Sequence, residues 1–218
     1  MLPQNLGPAE LRVLGALIEK ELATPDHYPL SLNSLIAACN QSTNREPITT
    51  LDQQAVTEAV TSLRRMSLVR SFQGSGERVP KYRHLLADAD DLSRAHLAVL
   101  SVLMLRGPQT QSEVRTRAAR LMPAEDSTGI DSALEALVER APPAAVKLPR
   151  RPGQKEARYA HLLGGDVSLE LADAADEPSP GHPAANDRIT ALEELARELR
   201  SEVSDLRSEL AAFRKQFE

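Results

Sequence analysis

Apolar residues recur every three or four positions at the start of the chain, a spacing typical of amphipathic helices. The stripe that predicts the first helix consists of Leu11, Leu14, Ile18 and Leu22. Pro25 and Pro29 end this helix, because proline cannot donate a backbone hydrogen bond. Ser31 is then placed to cap a second helix, for which the predicted inner face consists of Leu32, Leu35, Ile36 and Cys39.

A third helix and a hairpin are predicted next. Thr50 and Gln53 have the spacing of a capping box, which predicts that the third helix starts there, with Val56, Val60 and Leu63 facing inward. Two extended runs, 68–72 and 78–84, flank a glycine-rich turn and predict a β-hairpin. Three helices followed by a hairpin are the winged-helix arrangement. The hairpin is the wing, and the third helix of a DNA-binding member enters the major groove.

The same order of patterns then returns. Helices are predicted at 97–105, at 111–121 with Thr110 as the cap, and at 130–138, and hairpin strands at 146–148 and 157–163. Lys81-Tyr-Arg-His-Leu-Leu86 and Arg158-Tyr-Ala-His-Leu-Leu163 share one form and lie 77 residues apart, which is the period of a duplicated domain. The predicted fold is therefore mainly α with small β-hairpins (α+β), with winged-helix domains at 1–88 and 89–165.

The last third of the chain changes character twice. Residues 166–186 mix Gly, Pro, Asp and Glu, and predict an acidic flexible linker. Residues 187–218 carry a heptad repeat and predict a coiled-coil helix. Glu202 would face Arg207, and Glu209 would face Arg214, only in a parallel pair, so a parallel homodimer is expected. The expected dimer contacts are Ile189, Leu192, Leu199, Val203, Leu206, Leu210 and Phe213.

Charge is distributed unevenly along the chain. The net charge of −5 comes from the tail, because residues 1–90 carry −1, residues 91–165 carry +3 and residues 166–218 carry −7. A single cysteine, no signal-peptide pattern and no apolar run of about 18 residues predict a cytoplasmic protein that does not enter a membrane. Metal spacings, nucleotide-binding glycine motifs and recognisable nucleophile motifs are missing, so no cofactor, no metal and no enzymatic activity are expected.

Three groups of polar residues are candidates for contact with DNA or a partner. The polar segment after the second helix has two open interpretations, turn hydrogen bonds or a contact surface. The third helix offers amides and a guanidinium that suit base edges, against the alternative of an ordinary solvated face. The hairpins offer cations for phosphate. The candidates are Asn40, Gln41, Asn44 and Arg45; Gln53, Gln54, Thr57 and Arg64; and Arg70, Arg78, Lys81, Arg150, Arg151 and Lys155.

The stretch RVLGALIEKELATPDHYPLSLNSLIAACNQSTNREP, together with the later RVPKYRH, closely resembles the YceH-like family of bacterial proteins. The resemblance is specific over residues 9–86 and agrees with the second repeat and the helical tail. It implies a tandem winged-helix fold and brings no catalytic residues with it.

Two functions are consistent with these patterns. The first is a homodimeric DNA-binding regulator that reads double-stranded DNA with the third helix and contacts phosphates with the wings. The alternative is a winged-helix scaffold that docks proteins and does not bind DNA; the near-neutral first domain favours it.

Overall fold

A computed structural model describes residues 2–73, 79–89, 92–150 and 154–165. Over these ranges the fold is mixed α+β, with α-helices and two three-stranded antiparallel sheets. The predicted linker at 166–186 and the predicted coiled coil at 187–218, with every expected dimer contact, lie outside the described residues. No helix in the described ranges combines the length and the apolar composition that crossing a membrane requires.

The first half of the described chain contains three helices and then two strands, in the order that the sequence predicts. Its elements are α1 (Pro8–Ala23), a 3-10 turn (Pro25–His27), β1 (Leu30–Ser31), α2 (Leu32–Cys39), α3 (Gln53–Arg65), β2 (Val69–Phe72) and β3 (Lys81–His84).

The second half repeats this order after one additional short helix. Its elements are α4 (Leu86–Ala89), α5 (Arg94–Arg106), β4 (Gln109–Thr110), α6 (Gln111–Ala119), a 3-10 segment (Ala124–Gly129), α7 (Ile130–Glu139), β5 (Ala145–Lys147) and β6 (Arg158–His161).

The two sheets have equivalent topologies, β1-β3-β2 and β4-β6-β5. Each predicted hairpin therefore has a third strand that the sequence patterns did not predict: β1 pairs with β3 through Leu30 and Tyr82, and β4 pairs with β6 through Gln109 and Tyr159. A strand of two residues is too short to show the alternation of apolar and polar positions that identifies strands. Only its pairing partner makes it a strand.

Side-chain caps start four of the described helices, α2, α3, α5 and α6. Ser31 accepts a hydrogen bond from the Ser34 backbone N–H (3.2 Å), and Thr110 forms a capping box with Glu113, so both predicted caps are confirmed. The predicted cap at Thr50 is wrong, because α3 begins after Asp52, which accepts from the Ala55 N–H (2.8 Å).

The position of Leu51 explains the later start of α3. The Asn40 side chain accepts from the Leu51 N–H (2.8 Å) and donates to the Leu51 carbonyl (2.7 Å). Both polar backbone groups of Leu51 are thus bonded outside the helix, and the first turn forms two residues later than predicted.

The core is aliphatic and continuous through both halves. Residues 97–105 of α5 are buried on every side of the helix, a pattern typical of a helix inside a core. In α2 the buried residues are Leu35, Ala38 and Cys39, whereas Leu32 and Ile36 of the predicted inner face are half-buried. Burial raises the pKa of the Cys39 thiol to about 12, which makes this cysteine a packing residue.

The two halves meet where α1 packs against α5. A Cβ atom at Gly15 would lie 3.0 Å from Leu105 Cγ and 3.2 Å from Met104 Cβ, so a larger residue would have to displace these side chains. Backbone hydrogen bonds from Leu6 to Leu163 (2.9 Å) and from Glu46 to Leu105 (2.8 Å) also join the halves. Both halves belong to one compact unit, and the domain boundary expected at residues 88 and 89 stays a prediction.

The two histidines of the repeated motif end β3 and β6. The His84 backbone N–H donates to the Tyr28 hydroxyl (2.8 Å), and the His84 ring contacts the Glu21 carboxylate. Burial lowers the pKa of His161 to about 4, so this ring is neutral near pH 7. Both rings therefore lie inside the fold at the base of a hairpin.

We expect Gly15→Val to lower the free energy of unfolding by about 2 kcal/mol or more, because overpacking forces α1 and α5 apart. Urea unfolding of the full chain measures this change. The matched control is Ala37→Val on the exposed face of α2, which loses only helix propensity, roughly half a kcal/mol. Equal losses in the two variants would contradict a tight contact at Gly15.

Candidate nucleic-acid interface

The outward face of α3 is polar over its whole length. Val56, Ala59, Val60 and Leu63 are buried, which confirms the predicted inner face. The exposed residues on the other side of α3 are Gln53, Gln54, Thr57, Glu58, Thr61, Arg64 and Arg65. The candidates Gln53, Gln54, Thr57 and Arg64 therefore share one accessible helix surface.

Hydrogen bonds already occupy part of this surface. Gln54 Nε2 donates to Glu58 Oε1 (2.9 Å), and the Thr57 hydroxyl donates to the Gln53 carbonyl (2.7 Å). Gln53 and Arg64 form no side-chain hydrogen bond within the described residues. Base contact by Gln54 would have to replace its bond to Glu58.

Strand register concentrates cations on one face of the β2–β3 hairpin. Val69 lies opposite His84, and both are buried. The next pair is Arg70 opposite Arg83, and the pair after Ser71 is Phe72 opposite Lys81. Alternation along each strand places these four residues on the other face, which we call the cationic hairpin face. Phe72 is 40% exposed there.

The charges of this face are not fully compensated. Arg70 is exposed and forms no ion pair among the residues that the structure describes. Arg83 lies near the carboxylate of Glu21. The pKa of Glu21 is lowered, first by the hydrogen bond from His84 and then by the charges of His84, Arg83 and Arg94, while burial opposes this shift. Like charges directly opposite in an antiparallel pair are destabilising.

The hairpin of the second half is also basic. Lys147, Arg150 and Lys155 are exposed, and Lys147 Nζ lies 5.7 Å from the centre of the Tyr159 ring. The predicted contacts Arg78 and Arg151 lie outside the described residues.

The third helix of the second half differs from α3. Its exposed positions include Glu135 and Glu139, and Asp131 is half-buried in an ion pair with Arg115 (2.5 Å). A row of carboxylates opposes a phosphate backbone. Any contact of the second half with nucleic acid would therefore come from its hairpin or from α6.

The polar segment after α2 serves mainly to hold the fold. Asn40 bonds the Leu51 backbone, and Gln41 Oε1 accepts from Arg45 Nη2 (2.9 Å). Asn44, at a positive φ of 61°, is exposed and accepts a hydrogen bond from Arg106. The two interpretations of this segment were turn hydrogen bonds and a contact surface. Asn40 and Gln41 agree with the first, because their side chains form hydrogen bonds within the fold.

Arg45 lies inside the protein, where it cannot contact a partner. It is 6% exposed, and its guanidinium makes a bidentate pair with Glu19, with Nη1 to Oε1 at 3.0 Å and Nη2 to Oε2 at 2.6 Å. Arg45 also donates to the carbonyls of Ala38 and Asn44. We therefore remove Arg45 from the candidate contact surface.

Sequence reasoning did not select Phe72, Arg83 or Lys147 as contact residues. The alternation of Arg70 and Phe72 with Val69 and Ser71 was a usable signal for the first hairpin. The pairing of Arg83 with Arg70 could not be predicted without the strand register, which depends on the turn between β2 and β3.

Comparison with known proteins places this chain among bacterial relatives of similar length. A family profile described as "Protein of unknown function, DUF480" matches residues 6–154. The chain is 47% identical over 216 residues to a UPF0502 protein of Pelobacter propionicus, with 98% of each chain covered. It is also 46% identical to a UPF0502 protein of Azoarcus sp., covering 98% of this chain and 95% of the relative. A UPF0502 protein of Geobacter sulfurreducens is 47% identical, with 98% of each chain covered.

We expect Glu19→Gln to lower the free energy of unfolding by about 3–5 kcal/mol, because Arg45 would keep a buried charge without its partner. Chemical denaturation of the full chain measures this loss. The control is Asp131→Asn, which weakens the partly exposed surface pair with Arg115 and costs about 1 kcal/mol or less. The double variant Glu19→Leu with Arg45→Met should regain most of the stability; a further loss in the double variant would contradict this account.

Proposed function

This chain belongs to the DUF480 family, and we propose that it is a tandem winged-helix protein that binds double-stranded DNA as a cytoplasmic homodimer and has no catalytic activity. The order of elements in each half supports the winged-helix fold. Both halves run helix, short strand, helix, helix, two strands, and both sheets have the same strand order. These are the elements of a winged helix, with α3 and α7 in the position of the third helix.

The cationic hairpin face is the single observation that carries the DNA proposal. It places Arg70 directly opposite Arg83, with Lys81 one pair further along the same face. A phosphate backbone is attracted to these cations. Phe72 on the same face is an apolar group suited to a sugar or a groove wall.

The α3 surface provides the groups for base recognition. Glutamine bonds adenine through two atoms of the major-groove edge, and arginine does the same with guanine. Gln53 and Arg64 have no competing side-chain bond within the described ranges, so they are the first candidates for base contacts. Gln54 and Thr57 extend the same surface.

Dimerisation would double the number of binding modules. The heptad repeat at 187–218 supports a parallel coiled coil, and two linked copies bind neighbouring half-sites with increased effective concentration. Half-sites for such a dimer would be symmetry-related.

A second candidate function is protein docking, and the acidic surface of α7 favours it. Glu135 and Glu139 are exposed and suit a basic protein surface and not DNA. In a combined arrangement the first half binds DNA and the second half binds a protein.

We expect Arg70→Gln with Lys81→Gln to weaken binding to a random-sequence duplex several-fold. Removal of two phosphate contacts should reduce the slope of log K against log salt by about 2. Fluorescence anisotropy of labelled duplex measures both quantities at salt concentrations from about 50 to about 200 mM. Lys20→Gln removes one charge from α1 as the control and should leave the slope within error. An unchanged slope in the double variant argues against DNA contact by this hairpin.

We expect Glu58→Gln to strengthen duplex binding several-fold at low salt, because it removes a carboxylate from the α3 surface and keeps the side-chain shape. The gain should shrink as salt increases. The matched variant Glu135→Gln on α7 reports on the equivalent helix of the second half. If Glu58→Gln has no effect on affinity at any salt concentration, α3 does not face the duplex.

A further inference from the structure

A small cavity lies where the two halves of the described chain meet. Its volume is about 90 Å³, and its walls come from α1, the segment after α2, α5 and α6. The polar residues that line it are Glu19, Asn44, Ser101, Arg106, Arg117 and Arg120. The volume is of the size that holds one small polyatomic ion or a few water molecules.

Among the described residues, the cavity wall carries more positive than negative charge. Three guanidinium groups line it, against the single carboxylate of Glu19, and both oxygens of Glu19 are already bonded to Arg45. Burial, and then the neighbouring charge of Arg117, lower the pKa of Arg106, while Glu19 and Glu46 oppose this effect in part. Neighbouring cations repel each other, and an anion between them offsets this repulsion.

Hydrogen-bond donors at the cavity are also unused. Arg117 Nη1 is buried and has no hydrogen-bond partner within the described residues, while Nη2 reaches Glu113 Oε1 at 3.3 Å. Arg120 is exposed and has no side-chain partner in the same ranges. A buried charged donor without an acceptor is costly, and native structures normally supply one.

The other polar groups of the wall leave room for an acceptor. The Ser101 hydroxyl donates to the Ala98 carbonyl (2.9 Å), so it offers no proton to the cavity. Asn44 accepts from Arg106 through Oδ1. The donors that remain are guanidinium groups, and guanidinium forks match the oxygens of phosphate in geometry and charge.

We propose that this cavity binds a phosphate group, either as inorganic phosphate or as the terminal group of a small phosphate monoester, held by Arg106, Arg117 and Arg120. The bound group connects α6 to α5 and, through Asn44, to the first half of the chain. The site is separate from the cationic hairpin face, and it does not depend on the function proposed above.

Calorimetric titration of the full chain with inorganic phosphate tests the site, with sodium chloride at equal ionic strength as the blank. We expect saturable binding, and Arg117→Gln and Arg120→Gln should each weaken it roughly tenfold. Arg120 has no described side-chain partner, so its variant should fold normally, and circular dichroism checks both variants.

Two control variants separate this site from other cationic surfaces. Arg115→Gln removes a guanidinium from the same helix, where it pairs with Asp131 outside the cavity, and should leave phosphate binding unchanged. Arg70→Gln should also leave it unchanged. Absence of saturable binding, or equal losses in Arg115→Gln and Arg120→Gln, would overturn the proposal.

A parallel titration with glycerol phosphate identifies the source of the group. Tighter binding than inorganic phosphate, with the same sensitivity to Arg120→Gln, assigns the site to a phosphate monoester. Weaker binding with that sensitivity assigns it to the free ion.

Discussion

Helices α1 and α5 pack against each other so closely at Gly15 that a single methyl group would meet Leu105 and Met104. Glycine inside a helix costs about 1 kcal/mol relative to alanine, so its presence needs a gain elsewhere. The gain is a shared core: α5 is buried on all sides because the first half covers the surface that its own half leaves open. Two repeated units therefore share one hydrophobic interior.

This arrangement determines what the polar segment between α2 and α3 can do. The segment lies over the contact between the halves, where the Glu46 backbone N–H donates to the Leu105 carbonyl and Asn44 Oδ1 accepts from Arg106. Arg45 turns inward to Glu19, and Asn40 holds Leu51. Polar residues that resemble a binding loop in composition are thus used to join helices. The accessible polar groups lie instead on α3 and on the β2–β3 hairpin.

Duplication of the fold did not duplicate the surface. Both third helices bury one apolar face, but α3 exposes amides, hydroxyls and arginines, whereas α7 exposes carboxylates. A helix contacts its core through one stripe, so the opposite stripe is free to change without loss of stability. The two halves therefore have equivalent folds but expose different side-chain chemistry on their third helices.

Local features of this protein were determined by the sequence alone. The three-helix-and-hairpin order, its repetition and the caps at Ser31 and Thr110 were all predictable, because periodicity and capping depend on residues within a few positions of each other. The tertiary structure decided the start of α3, the two short strands, the burial of Arg45 and the cavity lined by three arginines. Each of these depends on a partner many residues away, such as Glu19 for Arg45 at a separation of 26 residues. Whether a charge lies in the core or on the surface is set by packing of distant segments, and no local pattern of residues records it.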